Sequence, residues 1–277
     1  MLNESAGRSL TVRLVLGHKL RQLREAAGID PAQLVKLKLG SVSTTSRMET
    51  GKVPVAPHKV VALCRLYKVD QATADELETL AFRSSEETIL DDYGDVIPRW
   101  FSIYVQLEAA ADRISAWQPD VMPGLLQTPQ TARAIFEAFR PELDERTVER
   151  CLIIRAERQR IVFNRPETRI RAVLGEGVLL RQVGGVEVAA AQREHLRALC
   201  AAGQVEVRVL TWSSGAHAAM LGSLSLLEFD HSSLVDVAYC ESAAGAKYID
   251  KAVEVLRYRE MFESVYGRSV PLEEYAP

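Results

Sequence analysis

From Leu16 to Phe82 the chain never alternates apolar with polar residues, so no strand is predicted there; apolar residues return at helical spacing in five short runs, each ended by a turn signal. Leu16, Leu20 and Leu23 define a first helix reaching Ala26, stopped at Gly28. Asp30 before Pro31 supplies an N-cap and a first-turn proline for a second helix, with Leu34, Val35 and either Leu37 or Leu39 predicted to face inward. A third helix is read from Val42 to Glu49, between Gly40-Ser41 and Thr50-Gly51. A fourth is read over Pro57 to Tyr67, burying Val60, Val61, Leu63, Cys64 and Leu66, and a fifth over Asp75 to Phe82.

Charge divides the chain along the same line. Residues 1–69 carry 12 Lys and Arg against 4 Asp and Glu, a net +8, whereas residues 70–277 carry 22 against 33, a net −11. A compact basic module joined to a long acidic remainder fits polyanion binding by one end and regulation or partner binding by the other. No stretch of about 18 apolar residues is present, which argues against a membrane-spanning helix, and a cytoplasmic location is expected. Cys64, Cys151, Cys200 and Cys240 are too dispersed for a disulfide framework or a zinc site, so four buried thiols and no metal are expected.

The acidic stretch Arg83 to Arg99, broken by Gly94 and Pro98, reads as a linker between a 1–82 domain and a 100–277 domain. Beyond it the pattern becomes mixed α/β. Helices are predicted over Gln130 to Phe139 (Ala132, Ile135, Phe136 and Phe139 inward), Asp144 to Asn164, Val186 to Cys200 and Asp250 to Tyr266. Strands are predicted over Arg169 to Leu174 and Gln204 to Thr211, with a hairpin of Ser223 to Phe229 and Leu234 to Cys240 turning at 230–233. Trp117 to Gln127 (WQPDVMPGLLQ) reads as an unusually apolar loop, and Trp212 follows a strand in T-W-S-S-G-A-H. Both are candidates for a pocket or an interface.

The order L-R-E-A-A-G, then Leu34, then S-R-M-E followed by T-G-K, over about Leu16 to Val69, resembles the helix-turn-helix domain of Xre/Cro-type bacterial repressors. The resemblance implies a five-helix, lambda-repressor-like all-α fold whose third helix enters the major groove of double-stranded DNA. It places Val42, Ser43, Ser46 and Arg47 at base edges and Ser41, Thr44 and Lys52 at phosphates. Arg47 can fork onto guanine and Val42 can touch a thymine methyl. Arg24 and Glu49 fall where the family holds a partly buried ion pair that orients the recognition helix. The sequence departs from the pattern at Pro31, at Leu39-Gly40 and at Thr45, and the second departure leaves open a one-residue shift of the turn.

From Trp100 onward the chain resembles an antitoxin-like domain of unknown function (number 5753) found behind such helix-turn-helix domains. The resemblance is carried by Trp100-Phe101, Pro123-Gly124-Leu125-Leu126-Gln127-Thr128, Arg158-Gln159, Ser214-Gly215-x-His217 and Tyr258-Arg259. It implies an α/β (α+β) regulatory domain acting with a small partner protein encoded nearby, of the domain-of-unknown-function 397 type, and a nucleoid association when the chain is on DNA. Trp117, Pro123, Leu125, Trp212 and His217 are the candidate contacts for that partner or a ligand. A homodimer is expected because one small helix-turn-helix reads too few base pairs.

No catalytic signature is present. His195, His217 and His231 are potential bases and Ser214, Ser225 and Cys240 potential nucleophiles, without an elbow or triad spacing; Glu176 and Glu241 have no evident partner. Gly175-Glu-Gly177 and Gly184-Gly185 read as turns, and no cofactor is implied. The expectation is therefore a transcriptional regulator and not an enzyme. An antitoxin-like neutraliser that autoregulates is the second reading, and an enzyme targeted to DNA the third.

Overall fold

A computed structural model of the protein describes residues 2–84, 96, 98–230, 235–242 and 244–276. Most of the expected linker at 83–99, and the turn residues 231–233 with His231, lie outside the described residues. The chain divides into two compact units, Met1–Ala110 and Ala111–Asp230 with Val235–Pro277.

The first unit is all-α: α1 (Leu2–Ala26), α2 (Pro31–Lys36), α3 (Val42–Glu49), α4 (Pro57–Tyr67), α5 (Gln71–Ser84) and α6 (Arg99–Ala110). Its core gathers Leu16 and Leu20 of α1, Leu34 of α2, Met48 of α3, Val60, Leu63 and Cys64 of α4 and Leu77 of α5. Asp30 caps α2 in a reciprocal box with Gln33, so the Asp-Pro start works through hydrogen bonds as well as through the fixed proline φ. Val35 and Leu37, expected to face inward, are exposed instead; a six-residue helix has room for one buried apolar position, Leu34, with Leu39 packing on the core from the turn beyond. The first helix also begins far earlier than Leu16.

Each of the first four helices ends the same way, with one residue in the left-handed region and the next N–H reaching back five residues. Gly28 and Gly51 fill that place after α1 and α3, Lys38 and Lys68 after α2 and α4. The bonds are Ile29 N–H to Arg24 O, Leu39 N–H to Leu34 O, Lys52 N–H to Arg47 O and Val69 N–H to Cys64 O, at 2.8–3.0 Å. Lys38-Leu39 therefore supplies the left-handed residue followed by an apolar one, and α3 begins at Val42 with Ser41 as its N-cap.

The second unit is α/β. Its elements are β1 (Arg113–Gln118), α7 (Pro129–Phe139), α8 (Glu145–Phe163), β2 (Arg169–Gly175), α9 (Glu176–Leu180), α10 (Val186–Ala201), β3 (Val205–Leu210), β4 (Leu224–Glu228), β5 (Val237–Ser242), β6 (Gly245–Ile249), α11 (Ala252–Arg268) and β7 (Val270–Pro271). They form one seven-stranded sheet in the order β6-β5-β4-β1-β2-β3-β7. The central β1, β2 and β3 run parallel, with Trp117 opposite Val173 and Ala172 opposite Val207. The flanking strands are antiparallel. Val255, Phe262 and Val265 of α11 pack on Trp117, Val173, Leu224 and Leu226. Ala116, Ala172, Val207 and Val209, which alternate with those residues in register, are buried as well, as befits parallel strands covered on both faces.

Three expectations are corrected here. The segment from Trp117 does not start a loop, because Trp117 lies in the central strand β1, 3% exposed, and its indole N–H donates to Ala219 O at 2.9 Å. Phe139, at the last turn of α7, is exposed. Glu176 and Glu241 do have partners: Glu176 accepts from Trp212 N–H at 2.8 Å and Tyr275 O–H at 3.1 Å, and Glu241 from Tyr239 O–H at 2.8 Å.

Candidate nucleic-acid interface

Helix α3 is partitioned cleanly. Thr45 and Met48, three apart, point into the core, while Val42 (53% exposed), Ser43, Ser46 and Arg47 form the open face. At its N-terminus the Ser41 hydroxyl accepts the Thr44 N–H at 3.0 Å and lies 2.9 Å from the Thr44 hydroxyl. At its C-terminus Thr50 O–H donates to Ser46 O at 2.7 Å. These contacts consume the cap atoms and leave the outward side chains of positions 42, 43, 46 and 47 to solvent. Lys52, on the turn beyond, is half-buried.

What holds this helix in place is α1. Arg24 grips Glu49 with two parallel bonds, Nε to Oε1 at 2.5 Å and Nη2 to Oε2 at 2.9 Å, and Nη1 donates to Ile29 O at 2.9 Å. Both side chains are only 9% exposed. The carboxylate raises the Arg24 pKa against the opposing cost of burial. Burial, reinforced by the Glu49 carboxylate, pushes the nearby Tyr67 phenol up to about 12, which marks the site as poorly solvated. A bidentate pair in such surroundings fixes direction as well as distance. Gly17 completes the seat: a Cβ there would lie 2.4 Å from Met48 O and 2.9 Å from Glu49 O, so the last turn of α3 rests directly on the α1 backbone.

Sequence reasoning did not single out Lys59. Its ammonium sits beside the α2–α3 turn, 3.2 Å from where a Cβ on Gly40 would be. It has no acidic partner among the described residues, and burial lowers its pKa. An anion at the start of α3 would offset that cost by favouring the ammonium form. Only the turn geometry brings residues 40 and 59 together, so no local pattern could have disclosed it.

The candidates in the second unit do not form one site. Trp117 is core and Leu125 is buried in the short 3-10 turn Gly124–Leu126, with Pro123 half-buried before it. That turn is held by Gln159, whose Nε2 donates to Gly124 O, Leu125 O and Gln127 O, and by Gln192 Nε2 to Leu126 O at 2.7 Å. His217 is half-buried, edge-on to Trp117 at 5.2 Å. Trp212 alone is open, 72% exposed, with Met220 and Leu221 exposed on the same connection between β3 and β4. Among the described residues no hydrogen bond joins His195 or His217 to Ser214, Ser225 or Cys240, and no group of three His, Cys, Asp or Glu could hold a metal ion. Among them, too, no helix is long and apolar enough to cross a membrane.

A short capped helix seated by an ion pair on a longer one, with a polar open face and a basic surround, defines a helix-turn-helix DNA-binding regulator. A family model described as a helix-turn-helix domain matches residues 15–77. A second, described as Domain of unknown function (DUF5753), matches residues 101–274, more than half of the chain, and the chain belongs to that family. No curated protein and no solved structure matches it significantly. The second match begins inside α6, a helix packed with α1 in the first unit.

Proposed function

We propose that the chain is a sequence-specific transcription regulator of Xre type that binds a two-fold operator as a homodimer. In this reading Val42, Ser43, Ser46 and Arg47 face base edges in the major groove, and Ser41, Thr44, Lys52 and Lys59 face phosphates. The observation that carries it is the division of α3 between a buried Thr45-Met48 side and an open 42-43-46-47 side. Arg47→Ala should weaken operator binding by about 1–3 kcal/mol and relax preference at one base pair. Lys59→Ala should weaken operator and random duplex alike and lower the salt slope by about 1. Anisotropy titrations on both duplexes across a salt series measure this, and equal losses on both for Arg47→Ala would remove it from the base-reading set.

The second unit is proposed to bind a small partner protein, with DNA binding serving autoregulation if that partner is neutralised. Trp212, Met220 and Leu221 support this reading, because all three are exposed on the one connection between β3 and β4, and tryptophan is a usual anchor of an interface. Trp212→Ala should cost partner affinity about 2 kcal/mol with the melting temperature unchanged. Calorimetry with the product of the adjacent gene tests it, and undiminished affinity would move the contact elsewhere.

A further inference from the structure

In the second unit, α9, the start of α10 and the C-terminal segment around Leu272 enclose a cavity of about 280 Å³. Leu179, Leu180, Val186, Ala189 and Leu272 give it apolar walls. A neighbouring cavity of about 160 Å³ shares Leu179, Ala189 and Arg193 with it. Arg193 thus borders both. It is half-buried, and its one hydrogen bond among the described residues is a long one, Nη1 to Leu179 O at 3.3 Å. Among the described residues no carboxylate pairs with it, whereas Arg133, Arg165, Arg171 and Arg259 of the same unit each meet one.

A half-buried guanidinium without a counter-ion loses hydration and gains little in return. Its remaining N–H donors form a planar fork suited to a carboxylate. Arg197, also on the cavity, is exposed and already pairs with Glu194 at 3.5 Å, so one cation is left for one negative charge, too few for a dianionic phosphate. The apolar walls call for a hydrocarbon body. We propose that the second unit carries a binding site for a small amphipathic carboxylate, its head on Arg193 and its chain between Leu180, Val186 and Leu272. The site shares no residue with the DNA-facing helix and stands whether or not the DNA reading holds.

The test uses the full chain and calorimetric melting with four probes: octanoate, octanol, acetate and inorganic phosphate. Octanoate is expected to raise the transition of the second unit by several degrees near saturation, since a ligand held only by the folded state stabilises it. Octanol and acetate, each lacking half of the recognised chemistry, should raise it little. Arg193→Gln should weaken octanoate at least about tenfold, the worth of a charge-assisted pair. Val186→Trp, at an exposed position of the cavity mouth, should also weaken it, and provides the test if Arg193→Gln does not fold. Equal effects of octanol and octanoate, a larger effect of phosphate, or octanoate binding unchanged in either folded variant would overturn the proposal.

Discussion

Thr45 is 1% exposed on the inward side of α3, and its hydroxyl finds no partner among the described residues. A buried donor left unpaired costs about 1–3 kcal/mol. Thr45→Val keeps the branched shape and deletes the liability, so it is expected to stabilise the first unit by about 1 kcal/mol. Denaturant unfolding measures this, and an unchanged or lower midpoint would show that the hydroxyl is satisfied in solution. That position stands out in the sequence as a departure from an apolar pattern, but the unpaired hydroxyl does not, since pairing depends on what lies opposite. Arg24 and Glu49 show the reverse case. The resemblance to the helix-turn-helix family is what suggests the pair; the two-bond geometry and the third bond to Ile29 O come from the fold.

At the scale of elements, Gly17 tests how α1 supports α3. Glycine inside an exposed helix normally costs about 1 kcal/mol relative to alanine, so Gly17→Ala would ordinarily stabilise. Here the added methyl would strike the carbonyls of Met48 and Glu49, and overpacking of that kind costs about 1–3 kcal/mol. Gly17→Ala is therefore expected to lower the stability of the first unit and weaken DNA binding together; a stabilised variant with intact binding would mean that the two helices are not in this contact in solution. Helices opened by a proline or by a serine cap were legible: α4 runs over Pro57–Tyr67 from its first-turn proline, and α3 over Val42–Glu49 between the Ser41 cap and Gly51. Elements buried on all sides were not. In α6 every residue from Tyr104 to Ala110 is buried, leaving no polar stripe to reveal the helical period. In β1 (RISAWQ) four successive residues are buried, so the alternation that marks a half-exposed strand is missing and Trp117 reads as part of a loop. Val35 and Phe139 are exposed against the sequence expectation because short helices and final turns carry apolar residues that the core has no room to cover.

At the scale of the whole molecule, the two units should respond differently to acid. Burial holds His195 and His217 of the second unit below the ordinary histidine range, and Arg268 lowers His217 further. The geometry gives the reason for His217: its ring is edge-on to the buried Trp117, its Nδ1 is enclosed without a partner among the described residues, and Arg268 donates to Ala216 O at 2.6 Å, one residue away. With the folded pKa values depressed, the unfolded chain binds more protons below about pH 6.5. Stability contributed by the neutral rings is therefore complete above that pH and is lost as pH falls through the folded pKa values. Calorimetry of the full chain between about pH 7.5 and 5.5 should show the transition of the second unit moving down, and His195→Gln with His217→Gln should flatten that dependence. A transition that stays in place, or that moves equally in the double variant, would mean that both rings remain hydrated in the native state. General repulsion cannot supply the same effect: residues 111–277 carry 20 Lys and Arg against 23 Asp and Glu, a net of only −3, and ordinary carboxylates titrate at about pH 4, below this window, so a fall in stability there has to come from groups that gain positive charge on unfolding.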